Sequence, residues 1–78
     1  MHPPAIPKED AASVKRIVAL LDVGTQYVLR HRWELEGAIF LTREQLGKRF
    51  KLTVGDVRRL ELAGRNDVKA LLPKATWL

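Results

Sequence analysis

The chain contains no cysteine, which excludes disulfide frameworks, thiol nucleophiles and cysteine-based zinc sites together. It has a single serine, Ser13, no glycine-rich phosphate loop and no carboxylate pair placed for acid–base work, so the parts of an enzyme are missing. Its two histidines, His2 and His31, have no partner at metal-ligand spacing. No metal, cofactor or small-molecule substrate is expected. The longest apolar run, Ile17 to Leu21, is five residues, against roughly 20 needed to cross a bilayer. The start of the chain also lacks the basic-then-apolar pattern of a secretion signal. A soluble cytoplasmic protein with no membrane partner is expected. The five aromatic residues are dispersed, which argues against a stacking platform for single-stranded nucleic acid, and Trp33 and Trp77 are assigned to the core.

What is present suits one small domain. Seventy-eight residues, 46% of them hydrophobic, enclose one modest core and leave no surface for a second. Three of the four prolines fall in Met1 to Pro7, which has little to bury and is expected to be a flexible arm before a domain over Lys8 to Leu78. The 14 Lys and Arg outnumber 9 Asp and Glu, and the excess is lopsided. Residues 1–41 carry five of each sign, whereas residues 42–78 carry nine positive side chains against Glu44, Asp56, Glu61 and Asp67. A field this uneven favours a polyanion as partner.

Between Glu9 and Val23, the residues Val14, Ile17, Val18 and Leu21 follow the spacing of a helix with one buried stripe, with Pro7 and the acidic pair Glu9 and Asp10 at its start. The segment from Gln26 to Gly37 has two solutions. As a strand it places Tyr27, Leu29, His31, Trp33 and Leu35 on one face and Arg30, Arg32, Glu34 and Glu36 on the other. As a helix it groups Val28, Arg32 and Leu35 with Leu29 and Trp33 in a less tidy stripe. The alternation and the Tyr, Val and Trp content favour the strand, followed by a turn and a short strand over Ala38 to Leu41.

Thr42 with Gln45 forms a capping box for a second helix to about Phe50, and Thr53 caps a third that Gly64 is expected to end. Val54, Val57 and Leu60 mark its buried side. Beyond it, Val68, Leu71 and Leu72 precede Pro73, and the segment from Asp67 to Leu78 folds either as two short strands or as a helical turn and a tail. The expected class is mainly α with a small β component: a three-helix core with a C-terminal wing.

Two helices across a short turn pack closely only if the first carries a small residue at the crossing, and Gly47 fills that place. Leu46, Phe50, Leu52, Val57 and Leu60 complete a buried set, with Leu52 in the turn. This spacing over Thr42 to about Leu60 resembles the helix-turn-helix family of DNA-binding domains, and the whole plan resembles a winged helix. Lys51 departs from the family pattern, which usually has glycine there, and a lysine requires either a left-handed backbone or an altered turn. Gly55 weakens the third helix by about 1 kcal/mol relative to alanine.

The resemblance implies that the third helix enters the major groove and that Thr53, Val54, Gly55, Arg58 and Arg59 approach the bases, with the two arginines suited to guanine. Asp56 faces the same way and needs a partner such as Arg59. Lys48, Arg49 and Lys51 either complement the helix dipole in solvent or hold phosphates, and Arg65, Lys69 and Lys74 allow the same two roles. Arg43 is assigned to the surface. The function expected is that of a small regulator or a phage or mobile-element accessory factor binding double-stranded DNA, as a homodimer because one domain makes few base contacts. The alternative is a protein-binding adaptor or inhibitor that docks on an acidic surface of a larger machine. A DNA reader leaves Arg58 and Arg59 exposed beside Lys48 and Lys51. An adaptor instead exposes an apolar patch, for example around Leu62 and Trp77.

Overall fold

The computed structural model describes residues 3–78; Met1 and His2, the first residues of the expected arm, lie outside the described residues. Four α-helices follow in order: α1 (Ala11–Leu20), α2 (Val23–Arg32), α3 (Arg43–Phe50) and α4 (Val54–Leu71), with one 3₁₀ turn at Leu35–Gly37. Among the described residues there is no β-strand. No helix among them is long and apolar enough to cross a membrane.

The expected β component is therefore corrected. Where alternation favours a strand after Gln26, the chain forms α2, whose buried residues are Thr25, Val28, Leu29 and Arg32. That is helical spacing, but two of its four members are polar and are buried only because partners elsewhere satisfy them. The Thr25 hydroxyl donates to Asp22 Oδ1 at 2.8 Å, and the Arg32 guanidinium reaches Glu61 on α4. The supposed strand over Ala38 to Leu41 is a linker, tied back by the Leu41 N–H to the His31 carbonyl at 3.4 Å.

The C-terminal wing is corrected in the same way. Gly64 does not stop α4, which runs on to Leu71. A β-carbon at Gly64 would lie 2.6 Å from Thr25 Cγ2 and 2.8 Å from Leu29 Cδ1, so this glycine lets α2 cross α4 instead of ending the helix. The tail beyond Pro73 folds back on α4: Lys69 Nζ donates to the Ala75 carbonyl at 2.7 Å and Arg65 Nη2 to the Leu78 carbonyl at 2.8 Å. The expected single helix over Glu9 to Val23 is also divided, because Leu21 and Asp22 are extended and Val23 begins α2.

Two adjoining clusters form the core. One joins Val14, Ile17 and Val18 of α1 to Leu29, Trp33 and Val68, with Ile6, Trp77 and Leu78 at its margin. The other joins Val28 of α2, Leu41, Leu46 of α3 and Val57 of α4, with Phe50, Leu52 and Leu60 packed around it. Trp33 and Trp77 meet edge to face with centroids 6.0 Å apart, and the Trp77 indole N–H donates to Asp10 Oδ2 at 2.9 Å. This locks the tail to the start of α1.

The junction of α3 and α4 depends on Gly47. Its ideal β-carbon would lie 2.6 Å from the Leu52 carbonyl oxygen, and the Leu52 N–H donates to the Gly47 carbonyl at 2.8 Å. Lys51 takes the left-handed conformation (φ 57°, ψ 46°), at a cost of about 1–2 kcal/mol for a residue with a β-carbon. Because a backbone oxygen is the obstacle, Gly47→Ala is expected to destabilise the fold by about 1–3 kcal/mol in urea denaturation. Equal or greater stability, as helix propensity alone would give, would show that the close approach is dispensable.

Candidate functional site

The side chains singled out by charge lie on α3, the turn and α4, except Lys74, which stands in the tail beyond Pro73. Thr42 caps α3 by accepting from the Gln45 N–H at 3.1 Å, while its own N–H donates to Gln45 Oε1 at 2.8 Å. Lys48 and Arg49 stand in the last turn of α3, where cations complement the dipole, and Lys51 follows in the turn; all three are exposed. Thr53 caps α4 by accepting from the Asp56 N–H at 3.0 Å, and Asp56 Oδ2 accepts from the Thr53 N–H at 3.3 Å. Asp56 thus has its use in a second capping box.

Along α4, Gly55, Arg58, Arg59, Leu62, Arg65 and Lys69 recur at helical spacing and all are exposed. Arg58 forms no ion pair among the described residues, and neither do Lys48, Arg49 or Lys51. Arg59 pairs with Asp56 one turn earlier. Arg65 and Lys69 carry the tail contacts, so they serve structure as well as charge. Val54 is half-buried, which limits its reach. A β-carbon at Gly55 would meet only Thr53 Oγ1 at 3.7 Å, so packing does not require glycine there.

Hydrogen bonds from Thr53 and the Arg59 guanidinium hold the Asp56 carboxyl below its usual value of 3.8. A carboxylate with a depressed folded value contributes stability above its unfolded value and loses it as the pH falls through the folded one. The first turn of α4 should accordingly be unchanged between about pH 5 and 8 and should fray on acidification below the usual carboxylate range, read as lower amide protection factors at Asp56 and Val57. Thr53→Ala should raise the pH at which this happens. No such shift would mean that the box does not hold the helix start.

A clamp that charge pattern alone does not assign lies beneath this surface. Glu61 accepts from Arg32 Nε at 3.0 Å through one oxygen and from Arg43 Nε at 2.8 Å through the other. Arg32 also donates to the Leu41 carbonyl at 3.2 Å and its guanidinium lies over the Phe40 ring at 4.8 Å. One carboxylate thereby ties α2, the linker and the start of α3 to the middle of α4. Arg43, assigned to the surface from sequence, is half-buried in this clamp. A signal was available: Glu61 stands four residues after Val57 and three before Gly64, on the inward side of α4, where a charge requires a partner.

Beside the clamp a groove of about 540 Å³ runs along α4. Pro3, Pro4, Trp33, Leu62, Trp77 and Leu78 contribute its apolar surface, and Arg43, Arg58, Arg59 and Arg65 line it as well. Leu62 is 59% exposed, as is Leu71 further along the same helix. No group of three or more potential metal-binding side chains occurs among the described residues. Comparison of the chain with known protein families, with curated proteins and with solved structures finds no match.

Proposed function

We propose that the protein binds double-stranded DNA, with the exposed N-terminal half of α4 in the major groove. The observation that carries this is the grouping of Arg58 and Arg59 on the outward face of α4, with Lys48, Arg49 and Lys51 exposed on the segment that leads into it. Both negative groups of α4's first two turns are already engaged, Asp56 by Arg59 and the cap and Glu61 by Arg32 and Arg43, so they offset less of the surface field. In this reading the lysines and Arg49 hold phosphates and fix the register, while Arg58 and Arg59 present donors to base edges. Gly55 lets the duplex approach the α4 backbone. Two copies on a two-fold site would supply the specificity that one short helix lacks.

The second reading, a protein-binding adaptor, is favoured by exposed Leu62. It accounts less well for the run of exposed cations from Lys48 to Arg59. Binding to random duplex across a salt series separates the two. Engagement of phosphates by Lys48, Arg49 and Lys51 gives a slope of log affinity against log salt of about −3. Undetectable binding at low salt would favour the adaptor.

A further inference from the structure

We infer that the groove along α4 is a binding site for a small amphipathic organic anion, an apolar ring or chain bearing one carboxylate, sulfonate or phosphate, whose occupancy blocks the DNA-binding face. Its apolar part is built from Pro3, Pro4, Leu62, Trp77 and Leu78 together with the largely buried Trp33, and guanidinium groups flank it. A volume of about 540 Å³ matches the range of small-ligand sites, about 300–1,000 Å³.

Phosphates alone do not account for this arrangement. A duplex backbone gains from Arg58 and Arg59 without any apolar contact, yet the same arginines border an exposed leucine and two indoles. The Trp77 N–H is spent on Asp10, so what the indole offers the groove is ring surface. Arg65 Nη2 donates to the Leu78 carbonyl at 2.8 Å, which fixes its guanidinium at the rim. Glu61, the carboxylate among the lining side chains, is neutralised by Arg32 and Arg43 and so does not repel an incoming anion. An apolar body on Leu62 and the indoles with its acidic group toward Arg58 or Arg65 satisfies both halves of the site. The blocking effect rests on the DNA-binding reading, because Gly55, Arg58 and Arg59 belong to both surfaces; the site itself does not.

The test uses 8-anilinonaphthalene-1-sulfonate as the anionic probe and N-phenyl-1-naphthylamine, which has the same aromatic body without the sulfonate, as the neutral one. The folded protein should bind the anion saturably at one site per chain, with quenching of tryptophan fluorescence, and the neutral probe about tenfold more weakly. Leu62→Glu, at an exposed position, should abolish anion binding while leaving the circular dichroism unchanged, and Arg65→Ala should weaken it about tenfold. The anion should also displace a fluorescent duplex in proportion to its occupancy. No saturable binding, or binding unaffected by Leu62→Glu, overturns the site. Groove-dependent anion binding that leaves a bound duplex in place overturns the blocking role. Groove-dependent anion binding by a protein with no duplex affinity supports the site and instead removes the DNA reading.

Discussion

Replacing Glu61 with alanine is expected to destabilise the protein by about 3–5 kcal/mol, because it leaves Arg32, whose side chain is only 5% exposed, without its carboxylate. For a 78-residue domain the whole margin is about 4–12 kcal/mol, so this variant should be partly unfolded near body temperature. Glu61→Gln keeps an acceptor for one guanidinium and removes the charge, and it should fall between the two. Thermal unfolding with circular dichroism measures both. A loss under about 1 kcal/mol for Glu61→Ala is what an exposed ion pair gives, and would mean that the clamp does not set the seat of α4.

The second large effect concerns affinity and not stability. Arg58→Ala with Arg59→Ala should weaken duplex binding by about 30-fold to 1,000-fold, since each arginine on a base edge or phosphate contributes about 1–3 kcal/mol and neighbouring contacts do not add fully. Both side chains are exposed, so the unfolding midpoint should move little. The single variants discriminate further. Arg58 has no ion-pair partner to lose, whereas Arg59→Ala also frees Asp56, adding a negative charge to the face and deepening the loss at low salt. Fluorescence anisotropy at fixed salt reads all three. A double variant that binds like the parent would remove α4 as the contact surface.

Those two variants also mark how far the sequence could be read. The starts of α3 and α4 were legible because capping is local: Thr42 with Gln45, and Thr53, announce a helix within four residues. The close approach at Gly47 was legible too, since the apolar residues on either side of it fix where the helices meet. The α2 segment was not, because its buried face includes Thr25 and Arg32, and what makes Arg32 tolerable there lies 29 residues away at Glu61. Hydrophobic periodicity cannot register a buried cation whose partner is remote in sequence.

Gly64 misled for a related reason. A glycine reads as punctuation when the helix on the far side is unknown, and as a crossing point once Thr25 and Leu29 are seen against it. The wing and the β component followed from that stop. With α4 continuing to Leu71, the apolar residues assigned to strands become its last turn and a tail held by Lys69, Arg65 and Trp77. Within the site, charge clustering picked out the exposed cations. An apolar patch around Leu62 and Trp77 was legible as the mark of an adaptor, whereas its junction with Trp33 and the arginines arises only through the fold.

On the proposed reading, α3, the turn at Lys51 and the first half of α4 face duplex DNA as one surface. Titrating ¹⁵N-labelled protein with a short duplex at low salt tests it most directly. Salt-sensitive amide shifts should concentrate between Lys48 and Leu62, with α1 largely unmoved. Shifts confined to α1 and the first turn of α2, or none at any duplex concentration, would contradict it.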